Sequence, residues 1–202
     1  MGRCFLSEST EKVMIKNILW VGVLLSLSTL VSAARLSGVT SEEQVTSEQG
    51  QVLVLNGMGV REKFWVDVYV GSLYLGEKTA RVETILGAGK AWRIRMDFVH
   101  DEVEQNKLIE AWRDGFVNNQ DDPTLKAINA RMEQFYGFFD STVLAKEYYV
   151  LEYVPAKGTR ITRNNKLLGV IPGEEFQVAL LEIWLGKVPA DKGLKRGMLG
   201  VQ

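Results

Sequence analysis

Arg61 is the residue of this sequence whose surroundings most call for chemistry. It stands in Leu53–Leu75, LVLNGMGVREKFWVDVYVGSLYL, an apolar and glycine-rich stretch rich in aromatics. A guanidinium held among apolar side chains needs an anionic or carbonyl partner, because an unpaired buried charge is costly. Its planar fork of donors matches the oxygen pair of a carboxylate or an enolate. Tyr69 lies on the returning strand and can donate its phenolic hydrogen to the same oxygen. Together the two would form the polar end of an otherwise apolar pocket, the usual make-up of a small-molecule site. The competing reading is structural: Arg61 pairs with Glu62, Asp67 or Asp97 at a sheet edge. Residue types alone leave these two readings even.

Other chemistry is poorly supported. A Ser-His-Asp triad would need His100, the one histidine, as its base. No serine sits in a nucleophile-elbow context, so a surface or cap-region histidine is the simpler reading. Glu174 and Glu175 open a predicted helix, where negative charge is favourable without any acid–base role. Gly57 and Gly59 belong to no G-x-G-x-x-G pattern, and no Gly-Lys-Ser/Thr follows, so they are not a phosphate loop. One cysteine, Cys4, and one histidine give no metal cluster and no intrachain disulfide. No cofactor or metal is expected. With 24 basic and 25 acidic residues the formal charge is -1, and nucleic acid is not an expected partner. Lys192, Lys195 and Arg196 are too few to define a nucleic-acid groove.

The elements that must position Arg61 follow from periodicity. Gln51–Asn56 reads as a strand, punctuated by a glycine-rich turn at Asn56-Gly57 and Gly59. Residues 63–75 read as a long strand of β-branched and aromatic types. A short helix is expected within 77–86. Ala91–Phe98 alternates strictly, with Trp92, Ile94, Met96 and Phe98 on one face and Arg93, Arg95 and Asp97 on a solvated one. Residues 101–117 change to helical period, and 125–139 repeat it after Pro123. A strand over 146–153 precedes a hairpin, 159–163 and 166–171, turned by Asn164-Asn165. Residues 174–185 form a last long helix capped by Gly186, followed by a tail with one short further turn. The two successive amphipathic helices would cover one face of a sheet.

The first 34 residues read differently. Lys12 and Lys16 precede the apolar run Ile18–Val31, followed by Val31-Ser32-Ala33 with small residues where a signal peptidase cuts. The run is short for a bilayer span. Residues 1–34 are therefore expected to be a leader and cleaved export signal, with Met14 as a plausible true start, and residues 35–202 a single domain without a stable membrane span. A cysteine-free mature chain suits an oxidising compartment without depending on it.

The segment LNGMGVREKFWVDVYVGSLYL resembles the opening motif of the chalcone isomerase superfamily, and looks most like its exported bacterial members. FQVALLEIWLGKVPADKGLKRGML, from Phe176, resembles the end of the same family. The likeness spans Gln51–Leu199. It implies an α+β fold, a large antiparallel sheet packed against a layer of helices, with a ligand cleft between them. Some relatives isomerise chalcones, and others bind fatty acids without catalysis, holding the carboxylate with an arginine and a tyrosine. Arg61 falls on the family arginine, and Tyr69 on the position that is tyrosine in the fatty-acid binders and threonine in the plant enzymes. Aligning Trp112 with the family puts His100 where the enzymes use tyrosine and Lys107 where they use asparagine. Ile183 and Trp184 stand where the enzymes place threonine or serine.

These departures favour a non-catalytic exported protein, periplasmic in a Gram-negative bacterium, that binds a small amphipathic or apolar carboxylate. The expected ligand-binding residues are Arg61, Tyr69, Phe64, Trp112, His100 and Lys107. Met58, Trp65, Leu108, Phe135, Phe139, Ile183 and Trp184 are further candidates for the wall. The alternatives are an isomerase or lyase using Arg61 on a carbonyl or enolate, and an envelope accessory protein without a ligand.

Overall fold

The computed structural model describes Met1 and residues 33–87 and 89–201. The export signal expected over Ile18–Val31, and Cys4 with it, lie outside the described residues. In chain order the strands and helices are β1 (Ala33–Leu36), β2 (Val39–Glu42), β3 (Gln44–Thr46), β4 (Val52–Lys63), β5 (Val66–Leu75), α1 (Val82–Leu86), β6 (Trp92–Phe98), β7 (Glu102–Val103), α2 (Gln105–Asn119), α3 (Asp122–Tyr136), β8 (Val143–Leu144), β9 (Tyr148–Val154), β10 (Gly158–Arg163), β11 (Lys166–Ile171), α4 (Glu174–Leu185) and α5 (Lys192–Met198). Seven strands form one antiparallel sheet in the order β11-β10-β9-β6-β5-β4-β3. The fold is the expected α+β arrangement of a large antiparallel sheet and a helical layer.

Alternation along β6 sorts the two faces of the sheet. Trp92, Ile94, Met96 and Phe98 are buried and Arg93, Arg95 and Asp97 half-buried, so the apolar set meets the helices. Helices α2, α3 and α4 supply Trp112, Phe116, Phe135, Phe176 and Trp184 to that core. Their rings meet edge-on or tilted: Trp112 lies 5.1 Å from Phe135, 5.3 Å from Phe139 and 5.4 Å from Trp184. Each such pair contributes about 0.5–1.5 kcal/mol beyond its burial. On the other face a smaller cluster, Leu53, Leu55, Tyr74 and Ala91, is covered by Ala34, Val45 and Met58. The N-terminus of α3 is set by Asp121, whose carboxylate accepts from the Thr124 amide at 3.0 Å.

Three local expectations need correction. The chain does not turn at Asn56-Gly57 and Gly59. β4 runs on to Lys63, and the turn is Phe64-Trp65, with φ of 51° and 62°. Asn56 is instead the extra residue of a β-bulge between Leu55 and Gly57. Its Nδ2 donates to the Met198 carbonyl and its Oδ1 accepts from the Thr79 amide, both at 2.8 Å. The glycines serve close approach: a Cβ at Gly59 would meet the Leu194 backbone, and one at Gly197 the Met58 carbonyl. Strand β4 and helix α5 therefore pack backbone against backbone. Second, α2 begins at Gln105 and not near Asp101, because Glu102 and Val103 pair with Leu144 and Val143 first. Third, the tail is a true helix, α5, started by Asp191 accepting from the Leu194 amide at 2.6 Å.

Candidate functional site

Antiparallel register places Arg61 directly opposite Tyr69 across β4 and β5. Partners in such a pair share one face of the sheet, here the face that meets the helices. One step beyond, the pairing shifts, and Glu62 lies opposite Asp67. The extra residue, Val68, forms a bulge whose carbonyl accepts from the amides of both Val99 and His100, at 3.1 and 3.3 Å. The bulge thus ties the start of the β6–α2 connection to the hairpin, beside Arg61.

Arg61 lines two spaces. The inner one is a recess between β4, β5, α2 and α4, lined by Arg61, Tyr69, Leu108, Ala111, Trp112, Ile183 and Ala190, with a volume of about 10 Å³. That is room for roughly one water-sized atom. The outer one is an open groove of about 460 Å³ lined by Arg61, Lys63, Phe64, Val66, Val68, His100, Glu102, Val103, Glu104, Lys107 and Glu110.

The recess is short of acceptors. Arg61 Nε and Trp112 Nε1 are both buried without a hydrogen-bond partner among the described residues, and a buried unsatisfied donor costs about 1–3 kcal/mol. The three carboxylates open to Arg61 in the structural reading do not take it. Among the described residues Arg61 forms no ion pair, Asp97 is held by Arg95, and Asp67 accepts from Ser37 Oγ at 3.3 Å. The Arg61 guanidinium instead lies 5.9 Å from the centre of the Tyr69 ring. Trp184 Nε1 donates to the Tyr69 oxygen at 2.9 Å, which leaves the phenolic hydrogen to be given elsewhere. Burial pushes the Tyr69 phenol above its ordinary value, opposed by the Arg61 charge and the Trp184 hydrogen bond and assisted by Asp191. Tyr69 is therefore a neutral O–H donor at physiological pH. Arg61, Tyr69 and Trp112 all line one small recess, and a guanidinium, a phenol and an indole N–H are donors suited to an oxygen that carries negative charge.

The expected site residues divide into two groups. Arg61, Tyr69 and Trp112 come together at the recess, with Leu108 and Ile183 in its wall. Phe64, His100 and Lys107 line the outer groove, all exposed, and Lys107 Nζ is paired with Glu110 at 3.1 Å. Phe135 and Phe139 stand behind Trp112 in the core. Met58 packs on the opposite face, and Trp65 is 91% exposed at the hairpin tip, so neither is wall. Trp184 acts as a polar partner of Tyr69, a role beyond the apolar wall expected of it. The recess residues Ala111 and Ala190 were not expected; Ala111 directly precedes Trp112 on α2, and no local pattern marks Ala190. Among the described residues no cluster of His, Cys, Asp or Glu is arranged to hold a metal.

Residues 33–200 match the family model described as chalcone isomerase-like. The chain belongs to the chalcone isomerase-like family. A crystal structure of a fatty-acid binding protein from Arabidopsis thaliana has the same fold, with a TM-score of 0.68 at 14% sequence identity, covering 83% of this chain and 96% of that one. A comparison with curated proteins finds no match. In this chalcone isomerase-like chain the two ends that carried the resemblance meet physically: β4 and β5 hold Arg61 and Tyr69, and α5 packs on β4 through Gly59 and Gly197.

Proposed function

We propose that this chalcone isomerase-like protein binds a small amphipathic carboxylic acid, of the fatty-acid class, without transforming it. The observation that carries the reading is the pair of buried, partnerless donors, Arg61 Nε and Trp112 Nε1, beside the Tyr69 hydroxyl. One carboxylate oxygen fits a recess of about 10 Å³, and an acyl chain does not. The chain therefore lies in the outer groove, whose volume of about 460 Å³ is within the ~300–1,000 Å³ usual for small-molecule sites. There it meets Val66, Val68, Val103 and Phe64, while Lys107 and His100 stand at the rim. The non-catalytic part of the reading is supported by Leu108, Ala111, Ile183 and Ala190, apolar neighbours that offer the bound oxygen no proton carrier besides Tyr69. The fatty-acid binding role of the Arabidopsis relative agrees with it. The apolar run Ile18–Val31 supports export of the chain to the periplasm.

Native mass spectrometry of the purified protein, followed by calorimetric titration with long-chain fatty acids, tests the proposal. Bound acid and saturable 1:1 titration are expected, lost in Arg61→Gln. A protein that purifies without small molecules and whose melting is unchanged by fatty acids would overturn it. So would acid binding that survives Arg61→Gln, and turnover of chalcone-like ketones lost in that variant would replace it by an isomerase reading.

A further inference from the structure

Two of this molecule's hairpins with two-residue turns are built from very different residues. Between β10 and β11 the turn is Asn164-Asn165, with φ of 48° and 67°. Asparagine tolerates this left-handed region well. Between β4 and β5 the same turn is made by Phe64-Trp65, with φ of 51° and 62°. Large aromatic side chains are unfavourable in that region, and here they gain no burial in exchange. Phe64 is 80% exposed and Trp65 91% exposed, and the adjoining Val66 is also exposed. Among the described residues Phe64 and Trp65 are the most exposed large apolar side chains apart from Met1, and with Val66 they are contiguous. Such a patch marks an interaction site where isolated exposed apolar residues do not.

We propose that the Phe64-Trp65-Val66 tip docks into the interfacial layer of a lipid bilayer. Trp and Phe at a loop tip suit that layer, where an apolar ring meets hydrocarbon and its edge stays wet. The charges around the tip cancel: Arg61 and Lys63 against Glu62 and Asp67. Lys63 Nζ sits 5.8 Å from the centre of the Phe64 ring, so its ammonium can stay at the headgroups while the ring enters. A neutral tip requires no anionic lipid, and docking should be insensitive to salt. A second copy of the chain fits less well. Two aromatics and a valine offer roughly 500 Å², well below the ~800 Å² per partner of a stable interface. A few rings suffice for a bilayer. Phe64 and Val66 also line the outer groove that runs back to Arg61, so a docked tip would open that groove toward the membrane. This link to the groove rests on the ligand reading above; the docking does not.

The test uses the full chain carrying Trp20→Phe. Of the remaining tryptophans Trp92, Trp112 and Trp184 are buried and Trp65 is exposed, so iodide quenching of emission reports the tip even if the N-terminal apolar run also meets lipid. With phosphatidylcholine vesicles, and no fatty acid present, Trp65 emission should shift to the blue. Its iodide quenching constant should fall severalfold, and vesicles brominated in the acyl chains should quench it. The Phe64→Asn/Val66→Ser variant keeps Trp65 as the reporter and should weaken all three responses severalfold while melting normally; responses undiminished in it would overturn the proposal. Iodide access to Trp65 unchanged by vesicles would overturn the proposal, whether or not the protein binds fatty acids in solution. Shielding that grows with protein concentration in the absence of lipid would overturn it in favour of self-association.

Discussion

The two faces of the β5–β6 region treat arginine in opposite ways. On the outer face Arg93 is paired with Glu152, and Arg95 chelates Asp97 through Nε at 2.8 Å and Nη2 at 2.6 Å. Arg95 also stacks on Tyr148 at 3.7 Å. Glu152, buried at 4% exposure, accepts the Glu48 amide at 2.8 Å as well. Every strong donor there has an acceptor, so these arginines are part of how the fold is held. On the inner face Arg61 has a buried Nε without a partner and sits beside Trp112 Nε1 in the same condition. A fold that satisfies its outer arginines this thoroughly has a ready means of neutralising a charge. Its omission at Arg61 is what separates a site from a scaffold.

The largest effect should come from breaking the satisfied face. Glu152→Ala leaves Arg93 without its carboxylate and the Glu48 amide without its acceptor. A loss of about 3 kcal/mol in unfolding free energy is expected, since removing one partner of a buried pair strands the other. Urea denaturation would show it as a lower midpoint with an unchanged slope. Acid binding should persist in the folded fraction. If Glu152→Ala abolished binding at full stability, the division between the faces would be wrong.

The converse variant, Arg61→Leu, should reverse the pattern. It removes a buried donor, Nε, that no described residue satisfies, so stability should hold within about 1 kcal/mol or rise. Binding of a fatty acid should weaken by about 2–3 kcal/mol, on the order of thirty- to a hundred-and-fifty-fold, the worth of a charge-assisted contact. Calorimetry on the two variants side by side reads both halves of the comparison.

How far the sequence showed this division depends on which contact each residue makes. The outer face was legible in β6, because strict alternation assigns Arg93, Arg95 and Asp97 to one side by geometry alone. Arg61 was legible as an anomaly, a charge inside an apolar stretch, but its pairing was not. Whether Asp97 reaches Arg61 or Arg95 is a matter of side-chain direction, which residue types do not carry. The turn was misread because Asn-Gly is the strongest short hairpin signal, and here Asn56 makes a bulge while Gly57 and Gly59 make room for α5. That packing joins residues far apart in the chain, and local pattern cannot show it. Phe64-Trp65 was missed as a turn for the opposite reason: nothing about two aromatics suggests one. Trp112 and Leu108 were found because helical spacing puts both on one face of α2.

Tyr69→Phe should have a smaller, two-sided effect. It removes the phenolic donor from the recess and leaves Trp184 Nε1 buried without its acceptor. About 1 kcal/mol should be lost from each of binding and stability, roughly fivefold in affinity. The folded phenol is held above its ordinary value, chiefly by burial. Stability from keeping it neutral is complete below the unfolded phenol's range near pH 10 and is lost as pH rises through the folded value. Tyr69→Phe should therefore flatten the alkaline limb of a pH–stability curve.

The smallest effect is on the acid limb, and it separates paired from unpaired arginines once more. Arg163 donates to Glu147 at 2.7 Å. That bond is the main reason the Glu147 carboxyl lies below its ordinary value, aided by the Leu144 amide and Asn164 and opposed by desolvation. A depressed carboxyl contributes stability above its unfolded value, about 4.3, and loses it as pH falls through the folded one. Glu147→Gln should remove that part of the acid sensitivity, visible as a shallower loss of melting temperature below about pH 4.5. Arg61→Leu should leave the limb unchanged, because among the described residues Arg61 forms no ion pair with a carboxylate. If Arg61→Leu also flattened it, a carboxylate of the chain would be pairing with Arg61 in solution, and the unpaired donor on which the site rests would be gone.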